Sequence, residues 1–281
     1  MINLEINPPH GGSISSLIEK IKESGINEYV DRYIITDNPL SKLRMSSILS
    51  AIKVKEAFNK PVMPTMSMRD KNKLSLQSSL LGANDFDITD ILCLTGDKAK
   101  DEKGVLEGNS ILLLNIIHHM NNGTNFCGRE LNPKIKTISP YAVSEAIISK
   151  TVKKKMVKKL RFGAKGVITQ PIYDKETLEV LINSFEEAIK ETGSKATLTL
   201  GFFPLFSSKT ANFINDNIPG INVPKNIIDE LDLAYISGNE EEVGLRISKE
   251  VFKMLKNHSE NIHIMSSNRF DLLKEIIIEY K

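Results

Sequence analysis

The side chains able to do acid–base chemistry sit where short apolar runs end. INLEINPP, residues 2–9, sets Ile2, Leu4 and Ile6 against Asn3, Glu5 and Asn7, the period of a strand with two unlike faces. It stops at Pro8 and Pro9, which cannot donate ladder hydrogen bonds. Other apolar runs end alike: Thr36-Asp37; Thr65 and Ser67 with Arg69-Asp70; Thr95-Gly96-Asp97; Gln170; Gly201 to Pro204; Ser267-Asn268-Arg269. One carboxyl can hand over a proton, a second can steady a cation, and glutamine and arginine can grip polar edges. Gathered together, these groups suit a neutral or cationic polar heterocycle. Asp70 and Asp174 read as caps of the helices that follow. Asp97 shares strand parity with Cys93 and Thr95 and reads as pointing inward beside Glu5. His118 and His119 are adjacent in a helical stretch and face apart. With no HExxH motif or Cys/His cluster no catalytic metal is expected, and GxSxG is absent too.

Elements that could gather such tips alternate along the chain. Strand-like runs are INLEI, YVDRYIIT, PVMPTMS, ITDILCLTG, KIKTIS, GVITQ, ATLTLGFF and NIHIMS. Helical patterns lie between them, near 13–24, 45–58, 70–83, 108–120, 148–162, 174–192 and 209–216, with a closing helix at 271–280. An insertion, IPGINVPKNIIDEL plus a helix at 240–256, precedes the eighth strand. Eight strand-then-helix units predict an α/β fold, a (β/α)8 TIM barrel with a parallel eight-stranded sheet, as one unit over residues 1–281. An open doubly wound sheet is the alternative, but its GxGxxG is missing. In a barrel the face toward the helices must be apolar, so Glu5 should project inward near the C-terminal mouth, where barrel enzymes keep their sites.

Composition narrows the class. Against 37 basic residues stand 35 acidic ones, a net charge of +2 that gives no general case for nucleic acid. Two cysteines, neither in CxxC, suit a reducing compartment, and with no signal peptide or long apolar span the expectation is a cytoplasmic protein off the membrane. The basic run 150–161, KTVKKKMVKKLR, keeps Val152, Met156, Val157 and Leu160 to one side, a core stripe backed by a solvated face; anionic cofactor phosphates are the sharper alternative.

Seven segments in order resemble the methylenetetrahydrofolate reductase family: LEINPPHGG (4–12), MPTMSMRDKNKLSLQSSLLGA (63–83), ILCLTGD (91–97), GAKGVITQPIYD (163–174), GFFPLFSSKTANFI (201–214), IPGINVP (218–224) and HIMSSNR (263–269). The resemblance implies a cytoplasmic oxidoreductase of one-carbon metabolism. NADH or NADPH would reduce FAD, and by ping-pong exchange the flavin would reduce 5,10-methylenetetrahydrofolate to 5-methyltetrahydrofolate. It implies Glu5 as the acid that protonates the folate's bridging nitrogen, and Asp97 as the carboxylate beside pterin and flavin. Gln170 would bind the pterin or nicotinamide, and Arg269 would help hold folate. Thr36, Thr65 and Gly96 would lie along the cofactor, and Lys158 and Lys159 at the FAD pyrophosphate. Donating a proton near pH 7 requires a carboxyl held in its acid form, which burial and a neighbouring carboxylate favour.

Three positions depart from the family pattern. Thr65 stands where a flavin-contacting histidine is common, Ser139 at a usual aromatic position and Val143 where a histidine is common. These departures imply altered flavin contacts, another electron donor, or direct hydride transfer from the nucleotide. Two other classes remain: a pterin barrel that transfers a methyl or one-carbon group without redox chemistry, and a non-catalytic folate-binding subunit. The resemblance stops at the barrel, so no adenosylmethionine control is expected, while a homo-oligomer or redox partner is.

Overall fold

The computed structural model describes residues 1–97, 104–266 and 268–280. Eight parallel strands close into a barrel in chain order. They are β1 (Ile2–Ile6), β2 (Arg32–Ile35), β3 (Val62–Ser67), β4 (Asp90–Leu94), β5 (Ser139–Ser144), β6 (Gly166–Pro171), β7 (Thr197–Phe202) and β8 (Ile262–Ile264). The helices are α1 (Ser15–Ser24), α2 (Ser47–Phe58), α3 (Lys73–Asp85), α4 (Ser110–Asn121), α5 (Lys150–Arg161), α6 (Lys175–Thr192), α7 (Ser208–Asn217), α8 (Lys225–Ser237), α9 (Glu240–Lys256) and α10 (Phe270–Ile278). This is the (β/α)8 barrel, with α8 and α9 as the insertion before β8. No helix among the described residues is long and apolar enough to cross a membrane.

Helix boundaries follow capping chemistry. Ser46, Asn72, Asn109, Ser149, Asp174 and Ser207 each accept a first-turn backbone N–H, worth about 1 kcal/mol apiece. Asp174 therefore caps α6 as expected, but Asp70 does not cap α3: Asn72 does. Asp70 instead accepts from the Val105 N–H at 3.0 Å, tying down the segment ahead of α4. On α5 the buried stripe is Val152, Met156, Val157 and Leu160, as the sequence pattern requires.

The fifth strand begins where the sequence reading ended it. KIKTIS alternates like a strand, yet the backbone of Lys136 is bonded by the Asn84 amide at 2.7 and 2.9 Å. That of Ile138 is bonded by the Asn121 amide at 2.8 Å in both directions. Side chains thus satisfy peptide groups a ladder would otherwise take, and the strand is SPYAVS.

Following the strand register round the barrel sorts inward residues into layers drawn from alternate strands. At the closed end the Arg32 guanidinium pairs with Asp90 at 3.1 Å and lies 5.4 Å from the Tyr141 ring centroid. Burial pushes the Asp90 carboxyl up, with Arg32 opposing. Tyr141 covers Gly166, where a Cβ would sit 2.7 Å from the ring. Next come Asn3, Met63, Tyr141 and Thr199, then Ile34, Leu92, Ile168 and His263, then Glu5, Thr65, Val143 and Gly201. Ile34, Met63, Leu92 and Ile168 pack as a core cluster separate from the one between strands and helices.

Candidate active site

Above the Glu5 layer the mouth opens into a cavity of about 480 Å³, reached by Thr36, Leu94, Gln170 and Met265, within the size range of small-molecule sites. Glu5 points into it as the alternation of β1 demands, with Ile2, Leu4 and Ile6 packed outward. Its Oε2 lies 3.3 Å from His263 Nε2. Thr36 and Asn7 lock together, the Thr36 hydroxyl donating to Asn7 Oδ1 at 2.9 Å, and Asn7 Nδ2 donates to the Ser266 carbonyl at 3.3 Å. Thr65 is buried at the level of Glu5. Ser267, expected at the tip of the eighth strand, lies outside the described residues.

Gln170 owes its direction to an irregularity. The β6–β7 register shifts between Ile168 and Pro171, and the Gly201 N–H takes the Thr169 hydroxyl as acceptor at 2.8 Å. A bulge of this kind re-aims a side chain. Gly201 permits it, since a Cβ there would meet the Thr169 carbonyl at 2.2 Å. The Gln170 side chain lines the cavity, and no hydrogen bond holds its amide among the described residues.

Asp97 reaches the mouth by a route other than strand parity. Cys93 packs outward in the helix-side core, where burial raises its thiol pKa, and Leu92 faces inward, so the parity that Asp97 shares with Cys93 points away from the interior. The chain instead turns at Gly96, whose φ is +92° and whose Cβ would meet Ser67 Oγ at 2.3 Å. Asp97 therefore sits on the exposed rim of the cavity whose floor holds the half-buried Glu5. Its Oδ2 accepts from the Leu40 N–H and its carbonyl from the Ser41 hydroxyl, both at 2.7 Å.

That bond holds a strained segment. Asn38, Leu40 and Ser41, none a glycine, have φ of 47°, 56° and 53°, a left-handed backbone costing on the order of 1 kcal/mol or more each. Removing the latch with Asp97→Ala should speed amide exchange across 38–44 by about tenfold, the equivalent of one lost charge-assisted bond. Exchange mass spectrometry of the peptide covering those residues checks it; unchanged protection would mean that the loop holds its shape without Asp97. Asp37, behind the loop, accepts from the Ser67 N–H at 2.9 Å and pairs with Lys71.

A smaller chamber of about 170 Å³ adjoins the mouth and shares Leu94, Thr95, Val143 and Gln170 with it. Lys159 lines it and donates to the Val143 carbonyl; burial pulls its ammonium pKa down, with Glu145 opposing. Lys158, one residue and about 100° round the helix, is exposed and lines neither chamber. Arg269 also lies outside both, with Nη2 2.6 Å from Glu241 and the guanidinium over Phe206. His263, Asn7 and Arg44 are site residues that motif reading passed over. His263 was legible: in NIHIMS it alternates with the outward Ile262 and Ile264.

The family model for methylenetetrahydrofolate reductase matches residues 1–281. The chain belongs to the methylenetetrahydrofolate reductase family. A search of curated proteins gave no match. Among solved structures, one similar to this reductase-family chain is an uncharacterized protein from Clostridium thermocellum described as binding two copies of 5-methyl-5,6,7,8-tetrahydrofolic acid. It has 14% sequence identity and a TM-score of 0.68, covering 98% of this chain and 92% of that one. At that identity the likeness concerns the fold.

Methylenetetrahydrofolate reductases generally use a flavin, so the fit of FAD is a structural question. A diphosphate needs free N–H donors and cations. Among the described residues, both ammonium groups of the small chamber are engaged: Lys155 lies 2.7 and 2.8 Å from the two Glu145 oxygens, and Lys159 is on Val143. The first amides of α4 are taken by Thr95 Oγ1 and Asn109 Oδ1, and the Glu145 carboxylate would repel an anion. With Lys158 outside, these residues do not fit an FAD diphosphate.

Proposed function

We propose that the chain binds a reduced folate with its pterin in the barrel mouth and reduces 5,10-methylenetetrahydrofolate to 5-methyltetrahydrofolate. The observation that carries this reading is the placement of Glu5, one carboxyl in an otherwise uncharged inward layer at the floor of a cavity of pterin-binding size, in a chain of this family. Folate binding by the Clostridium thermocellum protein of like fold supports it.

In this reading Glu5 gives its proton to the folate's bridging nitrogen, the five-membered ring opens to a methylene iminium cation, and hydride adds to that carbon. Gln170 supplies amide hydrogen bonds to the pterin edge. Asp97, with Oδ2 on Leu40, has its other oxygen for the pterin and its charge for the cation. Thr36, Thr65 and Gly96 shape the walls. Arg269 stands where it can meet only the part of a folate that projects past the rim.

The hydride comes, in this proposal, directly from NADH or NADPH, whose own diphosphate would lie on the rim cations Lys42 and Arg44, whereas Lys158 and Lys159 build no cradle for that of FAD. The flavin-carried ping-pong route is the competing reading. Anaerobic incubation of purified protein with methylenetetrahydrofolate and each nucleotide separates them. Direct transfer predicts a colourless protein that forms 5-methyltetrahydrofolate with nucleotide alone. Flavin bands bleached by nucleotide would establish the other route, and no methyl product under either condition would leave a non-redox folate protein.

A further inference from the structure

His263 is 2% exposed and lies in a layer whose other members are Ile34, Leu92 and Ile168. A polar ring in such surroundings costs free energy unless its nitrogens are bonded. Nε2 has Glu5, 3.3 Å away in the layer above. Among the described residues, Nδ1 is buried without a partner, and so is Asn3 Oδ1. Asn3, 1% exposed, is the register partner of His263 on the adjacent strand and faces inward one layer below. Two orphaned buried atoms on neighbouring strands need each other: an imidazole N–H is a donor and an amide oxygen an acceptor.

We propose that Asn3 and His263 are positioning residues for Glu5, forming a buried column that fixes the imidazole with its proton on Nδ1 toward Asn3 and its lone pair on Nε2 toward Glu5. A lone pair in that place accepts a hydrogen bond from the acid form of Glu5 and so fixes the position of the carboxyl on the cavity floor. With the Asn3 amide as placed, the opposite tautomer sets two acceptors, Nδ1 and Asn3 Oδ1, on neighbouring strands, and satisfying them requires the amide to turn over. In turnover the Glu5 O–H swings from His263 to the folate nitrogen and gives up its one proton there, and the resulting carboxylate takes its replacement from water in the mouth. His263 neither gains nor loses a proton over the cycle. The other titratable groups of the cavity, Asp37, Lys42, Arg44 and Asp97, belong to the rim. The proposal rests on the folate-reduction reading for its chemistry, though not for its geometry.

Nitrogen-15 NMR of histidine-labelled protein at pH 8 reads the tautomer directly. The chain has five histidines, and loss of one set of signals in His263→Asn assigns His263. The expected result is a neutral ring protonated at Nδ1 that switches to Nε2 in Asn3→Leu. In the same variant the turnover number for folate reduction should fall at least fivefold while the KM for folate stays within twofold. A ring protonated at Nε2 in the unaltered protein, an imidazolium, or a loss confined to KM overturns the proposal. The spectrum of the unaltered protein needs neither a stable variant nor a working assay. A correct tautomer without methyl-folate formation therefore overturns the functional reading alone, and a wrong tautomer with full activity overturns only the column.

Discussion

Glu5→Gln should lower folate reduction by roughly 10²–10⁴-fold, the range a positioned general acid supplies, while changing folate affinity by no more than a few-fold. Glutamine keeps the shape of the side chain and can still donate a hydrogen bond to the mouth, but it carries no transferable proton. The substitution therefore separates chemistry from binding. Single-turnover formation of 5-methyltetrahydrofolate and equilibrium titration with the methyl-folate product measure the two. If a bound flavin mediates the reaction, its reduction by nucleotide should survive in the same variant. Loss of binding in proportion to rate would show Glu5 to be a wall of the pocket and not its acid.

The second large effect is structural. Gly201→Ala places a Cβ 2.2 Å from the Thr169 carbonyl and 2.7 Å from the Gln170 carbonyl carbon and oxygen, all backbone atoms that cannot swing aside. The bulge that aims Gln170 must flatten or the β6–β7 ladder must part. Overpacking against backbone should cost on the order of 3 kcal/mol, which for a chain of this size lowers the thermal midpoint by roughly 6–12 °C. Calorimetry of the variant checks the stability, and folate titration checks whether Gln170 has turned away. A midpoint within a degree of the parent would mean that the strand pair absorbs the methyl group and that the bulge is not held by close approach.

What could be read from the residues follows from where alternation exists. β1 is apolar on one face and polar on the other, so the inward direction of Glu5 was legible. β4 is apolar on both faces, as buried parallel strands are, and ILCL carries no mark of which face looks inward; the parity assigned to Asp97 from Cys93 was accordingly reversed. The fifth strand was misplaced because KIKTIS alternates, whereas the fact that decides it, two asparagines from α3 and α4 bonding that backbone, involves partners 17 and 52 residues away. The Gln170 bulge is a property of two strands in register and has no signature in either one. Lys158 and Lys159 illustrate a resemblance carried over as a pair where the helix turns them to different faces.

The seal at the far end of the barrel, Arg32 on Asp90 beneath the Tyr141 ring, governs traffic as well as stability. Those side chains plug that end while the cavity opens at the other, so in the proposed reaction whatever goes in first lies deepest and comes out last.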